Sequence, residues 1–342
     1  MLYQLGTHLS RDQFDLHLIP TRAPGALVQR FHPWYHVGPS PSHLAGLRRV
    51  LRLVRAIRTI RPDVIHVHAD QAAALAGFLA GVPLRVETIH TICRTAGSGI
   101  GYQYRPLLRC STLVIAVAAH IRRHLIDAWH LPPEKVLTIP PAVSPEGAPL
   151  ARDAAKAALG IAPDVSVIGY VGRLAPEKGV DLLVRAVASL VESRPGTVLV
   201  LVGDGQSRVP LELLAEDLGI EHSVRFFGYQ HRVTPYLCAM DVFALPSLWE
   251  GLPTAALEAA ALGVPVVGSD TDGLREALGG RGACLVRGRD PARWATVLAA
   301  ASAQPQPPLV DPVAARAHVS TCYPVSRLTE ELAAVYARYV RA

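Results

Sequence analysis

Asp241-Val242-Phe243-Ala244-Leu245-Pro246-Ser247-Leu248-Trp249-Glu250-Gly251-Leu252-Pro253-Thr254-Ala255-Ala256-Leu257-Glu258-Ala259 is followed closely by Gly263-Val264-Pro265-Val266-Val267-Gly268. The apolar runs at either end, bounded by turn residues, read as strands buried on both faces. Between them lie a loop with one carboxylate and a helix with a second. Strand, loop, helix, strand is one unit of a parallel α/β sheet. Pro253 suits the first helical turn, where its missing N–H is no loss. Glu258 then falls about one and a half turns in, and Glu250 waits in the loop at the positive end of the helix. Ligands of such sheets bind beyond the carboxyl ends of the strands, where this loop belongs. A solvated pair of glutamates at a helix start is the plainer explanation of the same residues.

Outward from this stretch, two regions alternate strand and helix. Strand-like runs in the first occupy residues 14–19, 64–67, 84–89 and 113–117, with helical stretches at 44–60 and 72–80. In the second they occupy 165–171, 198–202, 224–227, 242–245 and 264–267, and Asp181 is placed to cap a crossover helix over 181–193. The proline-rich run 139–149 between the regions is a poor helix or strand and a natural linker. Residues 304–308 read as a short loop. The fold class is therefore α/β, as two doubly wound, Rossmann-like domains with a cleft between them. The expected boundaries are 1–144 for the first domain, 145–322 for the second, and 323–342 for a C-terminal helix with Leu332, Val335, Tyr336 and Tyr339 at helical spacing.

At 342 residues, half of them apolar and 18% charged, the chain has enough material for two cores and is not a disordered chain. No apolar run reaches the roughly 18–20 residues of a membrane span, and no signal-peptide pattern opens the sequence. Cys93, Cys110, Cys238, Cys284 and Cys322 show no Cys-x-x-Cys pairing and read as small buried hydrophobes in a reducing, cytoplasmic setting. The net charge of +6 is uneven: residues 1–160 hold 18 basic against 9 acidic side chains, and the remainder 16 against 19. Two domains facing different partners would give that asymmetry. Arginine supplies 31 of the 34 basic residues, so compositional bias explains part of it.

Upstream of the opening stretch, the strand at 165–171 runs into Gly172-Arg173-Leu174-Ala175-Pro176-Glu177-Lys178-Gly179. Glycine at a strand-to-helix turn lets backbone approach an anion at a helix start. Arg173 offers a planar fork to phosphate and Lys178 a point charge. A solvated loop would also carry such residues, but only three lysines occur here, so composition does not account for Lys178. Glu-x7-Glu with Gly-Leu-Pro inside, and Gly-Arg-x4-Lys-Gly about 70 residues before it, resemble the signatures of family 4 retaining glycosyltransferases. The resemblance covers nearly the whole chain and is specific over residues 165–280.

It implies the GT-B fold, with the helix over 323–342 crossing back to the first domain rather than packing wholly on the second, and transfer of a hexose, with retention and without a metal or other cofactor. The donor would be a nucleotide diphosphate sugar, and the acceptor a saccharide or lipid-linked sugar of polysaccharide or glycolipid biosynthesis. Arg173 and Lys178 would clamp the diphosphate, Glu258 hold the ribose hydroxyls, and Glu250 with Gly251 and Leu252 hold the donor sugar. Gly172 and Gly203, the latter in Val202-Gly203-Asp204-Gly205, would flank the donor. Tyr229, in Phe226-Phe227-Gly228-Tyr229-Gln230, would lie where backbone holds the nucleobase. His90, after Val86-Glu87-Thr88-Ile89, would bond a sugar hydroxyl or steady charge at the leaving group; a structural histidine is the alternative. The Asp-x-Asp of Asp270-Thr271-Asp272 matches a family loop that binds no metal, so these residues and Glu276 are expected to make turns and caps. His66 and His68 point the same way along a strand but have no third metal ligand at usable spacing.

In the helix over 44–60, Leu47, Val50, Leu51, Val54, Ile57 and Ile60 form one side, and Arg48, Arg49, Arg52, Arg55 and Arg58 line the other. A solvated face explains this. The sharper reading is peripheral attachment to an anionic membrane surface, on the inner face; nothing resembles a nucleic-acid recognition motif. Three departures from the family pattern are clear. Pro141-Ala142 stands where Asn-Gly is usual, Ala118 where serine is common, and residues 1–10 read as a helix where relatives begin with a strand and a Gly-Gly loop. The expectation is a first central strand encoded upstream of Met1, or a degraded copy. The degraded copy leaves open a non-catalytic sugar-nucleotide-binding or scaffold protein, and a sugar-nucleotide hydrolase or epimerase is a third option.

Overall fold

The computed structural model describes residues 2–21, 36–37, 46–68, 70–92, 106–303 and 309–340. Expectations for Cys93, for residues 304–308, for Leu44 and for the side chain of Tyr339 lie outside these. By internal contacts the chain forms two units, Met1–Ala142 with Val325–Ala342, and Val143–Pro324.

The first unit holds α1 (Leu2–His8), β1 (His17–Leu18), β2 (His36–Val37), α2 (Gly46–Ile60), β3 (Val64–His68), α3 (Gln71–Leu79), β4 (Leu84–Ile89), β5 (Leu113–Ala116), α4 (Ala119–Asp127) and β6 (Val136–Thr138). β3-β4-β5-β6 make a parallel sheet in that order, and β1 and β2 a separate parallel pair. Leu84, Val86, Leu113 and Ile115 pack with Leu5 of α1 and with Leu9 just after it. The same core takes Leu328, Leu332 and Tyr336 from the C-terminal helix Val325–Val340. A second core joins Val50, Leu53, Val54 and Ile57 of α2 to Val67, Ala73 and Ala76. Alternating side chains thus feed helices on both faces, as parallel sheets require.

The second unit holds α5 (Arg152–Ala158), β7 (Val167–Val171), α6 (Val180–Ser193), β8 (Val198–Val202), α7 (Arg208–Asp217), β9 (Val224–Gly228), α8 (Thr234–Ala239), β10 (Val242–Leu245), α9 (Thr254–Ala261), β11 (Val266–Ser269), α10 (Asp272–Gly282), β12 (Cys284–Val286), α11 (Pro291–Ser302) and α12 (Pro312–Cys322); the C-terminal helix is α13. Its six parallel strands run β12-β11-β10-β7-β8-β9. The order reverses between β7 and β10, the topological switch point at which such sheets bind ligands.

Several local expectations need correction. The strand expected over 14–19 shrinks to His17–Leu18, because among described residues β1 has a partner on one edge only. Pro253 is the residue before α9, not in its first turn. Asp181 does not cap α6: the N-cap is Gly179, at φ +64°, and Asp181 pairs with Arg289 at 3.3 Å. Thr271, not an aspartate, caps α10, accepting from Leu274 N at 3.4 Å. Asp270 instead binds the side chains of Arg275 and Arg287, and Asp272 binds Arg275. Cys238 is buried, but Cys322 at the end of α12 is exposed and is no core residue. Ala118 is the N-cap of α4 and makes no side-chain cap bond, as an alanine there cannot.

Candidate functional site

The carboxyl ends of β7, β8 and β9 are locked together by backbone. Gly172 N donates to Val202 O at 2.9 Å, Gly203 N to Gly228 O at 2.7 Å, and Leu174 N to Asp204 O at 2.9 Å. The Gly203 turn lies so close to the Gly172 turn that a Cβ on Gly203, at φ +136°, would sit 1.9 Å from Gly172 O. Any side chain there would force the loops apart. Tyr170, fully buried in β7, donates its hydroxyl to Arg173 O at 3.0 Å and so supports the turn from below.

Lys178, just before α6, meets Glu250 from the loop after β10, with Nζ 2.7 Å from Oε1. Ser247 Oγ donates to the same oxygen at 2.6 Å. The loops are also joined through backbone, Leu248 N to Glu177 O at 2.9 Å. Gly251 and Leu252 are buried behind Glu250, and Gly273 of α10 packs on the Glu250 and Gly251 carbonyls too closely for a Cβ. Arg173 is exposed and pairs with Glu177 four residues on. Burial and the nearby charge of Glu146 push the Glu258 carboxyl up to about 7. Tyr229, after β9, is largely exposed.

The structure therefore brings Lys178 to Glu250 at the switch point, and Gly172 to Gly203 between β7 and β8. It turns Arg173 onto Glu177 rather than onto Glu250. Three supporting residues carried no assigned role in the sequence reading: Ser247, Tyr170 and Glu177. Only Glu177 had a local signal, its i,i+4 spacing from Arg173.

His90 belongs to the first unit, directly after β4. Its Nε2 lies 3.0 Å from His68 Nδ1, and the His68 ring stacks on His66 at 4.5 Å between centroids. His66 is held at both nitrogens, 2.6 Å from the Tyr336 hydroxyl and 2.6 Å from Thr88 Oγ1. Burial, chiefly, pushes His90 down to about 4 and His66 to about 3. Burial thus favours the neutral form of His90 at pH 7.

The α2 face differs from the expected one. Val50, Leu53, Val54 and Ile57 are buried, whereas Leu47 and Leu51 are 71% and 49% exposed. The buried i, i+3, i+4, i+7 stripe is rotated towards Leu53. Arg48, Arg52, Arg55 and Arg58 are exposed, but Arg49 is not part of that face: it binds Asp70 and Thr21 O. No helix of the described residues is long and apolar enough to cross a membrane.

Residues 151–307 match the family described as glycosyl transferases group 1, and residues 1–146 match glycosyltransferase family 4. The D-inositol 3-phosphate glycosyltransferase of Saccharomonospora viridis is 34% identical, across 92% of this chain and 80% of its own length. An Escherichia coli UDP-Gal:α-D-GlcNAc-diphosphoundecaprenol α-1,3-galactosyltransferase is 29% identical, across 78% of this chain and 74% of its own. Among solved structures, Anabaena Alr3699/HepE in complex with UDP and glucose superposes with a TM-score of 0.84, covering 98% of this chain and 95% of that one at 22% identity. The chain belongs to the family 4 glycosyltransferases, has the GT-B fold, and is an enzyme that transfers a sugar from a nucleotide sugar.

Proposed function

We propose that this family 4 enzyme moves a hexose from a nucleotide diphosphate sugar to a saccharide or lipid-linked acceptor, with retention and without a metal. The observation that carries the reading is the Lys178–Glu250 pair at the β7/β10 switch point. A cation and a carboxylate held by two different loops suit the two ends of a sugar diphosphate. Lys178 and Arg173 neutralise the diphosphate as the sugar–phosphate bond breaks, leaving their carboxylate partners as it arrives; this is electrostatic catalysis. Glu250, with Gly251 and Leu252 behind it, binds the donor-sugar hydroxyls. Glu258 takes the ribose hydroxyls, Gly172 and Gly203 leave room for the phosphates, and the backbone around Tyr229 takes the base. His90 acts as a neutral hydrogen-bond partner to a sugar hydroxyl. No protein nucleophile is assigned; the leaving phosphate assists attack by the acceptor on the same face.

The name of the Escherichia coli relative, with UDP-Gal and a diphosphoundecaprenol-linked sugar, supports a nucleotide-sugar donor and a lipid-linked acceptor, whereas the Saccharomonospora viridis relative is named for an inositol phosphate, an acceptor of another class. The test is nucleoside diphosphate release by purified protein over a panel of nucleotide sugars and acceptors. Full activity in both Arg173→Ala and Lys178→Ala would reject the clamp.

Exposed Leu47 and Leu51 beside Arg48, Arg52, Arg55 and Arg58 support peripheral attachment to an anionic, inner membrane face. Each arginine near such a surface contributes about 1 kcal/mol. R48E/R52E/R55E should abolish cosedimentation with vesicles of 30–40% (roughly) anionic lipid at low salt; retained binding would reject this face.

A further inference from the structure

We propose that Arg289 is a positioning residue for transfer: it holds the loops bearing Lys178 and Glu250 in register once the donor has parted that pair. The inference rests on the reading of Lys178 and Glu250 as the two ends of a donor clamp. Arg289 follows β12, at the edge of the second unit's sheet, yet its guanidinium reaches the β7/β10 switch point. Nη1 donates to Pro246 O at 3.2 Å, just past β10, and Nη2 to Asp181 Oδ1 at 3.3 Å, in the first turn of α6. Gly179 is trapped against both. A Cβ there, at φ +64°, would lie 2.4 Å from Pro246 O and 2.7 Å from Arg289 Nη1. Three segments therefore meet at a spot that suits only a glycine.

These contacts close a ring. Lys178 pairs with Glu250, Ser247 supports Glu250 and follows Pro246, and Arg289 ties Pro246 to Asp181 on the helix that Lys178 leads into. The bond from Leu248 N to Glu177 O is a strut across it, at 2.9 Å. Two side-chain links span the loops, the Lys178–Glu250 pair and the Arg289 fork. Donor binding removes the first, because Lys178 turns to the diphosphate and Glu250 to the sugar hydroxyls. The second survives, because neither Pro246 O nor Asp181 takes part in holding the donor. A planar, permanently charged fork suits the task, with one nitrogen on a carbonyl and the other on a carboxylate.

Arg289 also stands on a fixed base. Trp294, fully buried in α11, donates its Nε1–H to Gly288 O at 3.3 Å. Asp290 caps the same helix, accepting from Ala292 N at 3.3 Å and Arg293 N at 3.2 Å. The residues on either side of Arg289 are thus tied to α11, which packs on α6. A side chain so supported can hold two loops closely in register, and a misplacement of about 1 Å at a reacting group costs roughly 100-fold in rate. The Arg289–Asp181 pair is 39% and 55% exposed, so it contributes little to the stability of the fold. Its effect belongs to geometry in the donor-bound state.

Hydrogen exchange at the Leu248 amide, taken relative to Val200 in the sheet core, tests the ring without any substrate. R289A and K178A should each leave that ratio within about threefold of the parent, whereas K178A/R289A should raise it about tenfold or more. A ratio in the double variant no higher than in the single ones would overturn the ring. Turnover tests the role. With the fastest donor among UDP-glucose, UDP-galactose and GDP-mannose, hydrolysed without acceptor, R289A should lose about tenfold or more in kcat, while affinity for the matching nucleoside diphosphate stays within about threefold. Guanidinium chloride at about 20 mM should restore most of that loss and leave the parent unchanged, because the ion replaces the missing fork. Parent-like kcat in R289A, or a loss that guanidinium does not repair, would overturn the positioning role. Parent-like turnover in K178A would instead reject the clamp reading beneath it, so the two failures appear in different variants.

Discussion

Replacing Lys178 with alanine separates two consequences of one ion pair. Lys178 is 22% and Glu250 9% exposed, and the carboxylate keeps the Ser247 hydroxyl when the cation is gone. Breaking a buried pair from one side costs about 3–5 kcal/mol, and the retained hydroxyl and partial exposure place K178A near 3. For a domain of this size that is a fall in Tm of roughly 6–12 °C. K178A/E250A removes the stranded carboxylate as well, and should recover about 1–2 kcal/mol relative to K178A alone. Donor binding should behave oppositely. A unit charge about 4 Å from a phosphate oxygen is worth about 4 kcal/mol at an effective dielectric constant near 20, less what water replaces. Nucleoside diphosphate binding should therefore weaken at least about 100-fold in K178A, and the double variant should not restore it. Thermal denaturation and isothermal titration of the three variants with the parent read both effects. Stability losses that simply add, or nucleotide affinity within about threefold of the parent in K178A, would refute the reasoning.

Gly203→Ala should cost roughly 3 kcal/mol and most donor binding, because its Cβ would lie 1.9 Å from Gly172 O at φ +136°; a Tm within about 1 °C of the parent would contradict the close approach. Glu258 titrates near 7 when folded against 4.5 for the free side chain. The folded state then holds the proton more tightly, so this group's contribution to stability falls as pH rises from 4.5 to about 7, by at most roughly 3 kcal/mol. E258Q should remove that fall. The part remaining comes from Glu87, also pushed up to about 7 by burial. Nucleotide affinity, which needs the ionised carboxylate to accept from ribose hydroxyls, should rise through pH 7 in the parent and stay flat in E258Q. Denaturation and titration between pH 5 and 8 (roughly the window of the shift) check both.

Residues 165–280 were legible because their signals are local. An apolar run, a glycine turn and a helix start each depend on a few neighbouring residues, so the β7 and β10 loops and their charged residues could be located from the chain alone. Pairing was not local. Lys178 and Glu250 are 72 positions apart, and only the strand order that sets β7 beside β10 brings them to 2.7 Å. Ser247 becomes a support for Glu250, and Tyr170 for Arg173, only once the loops have packed. On α2, periodicity established an amphipathic helix but not its rotation; packing against Val67 and Ala73 buried Leu53 and left Leu47 and Leu51 outside. Arg49 looked like its neighbours until Asp70, 21 positions on, claimed it. The sequence by itself determined which segments are strands, helices and anion-binding turns, because φ/ψ preferences and apolar spacing act within a turn or two. Tertiary structure decided which charges meet and which face of a helix is buried, because those follow from strand order and shape, which no short stretch of chain encodes.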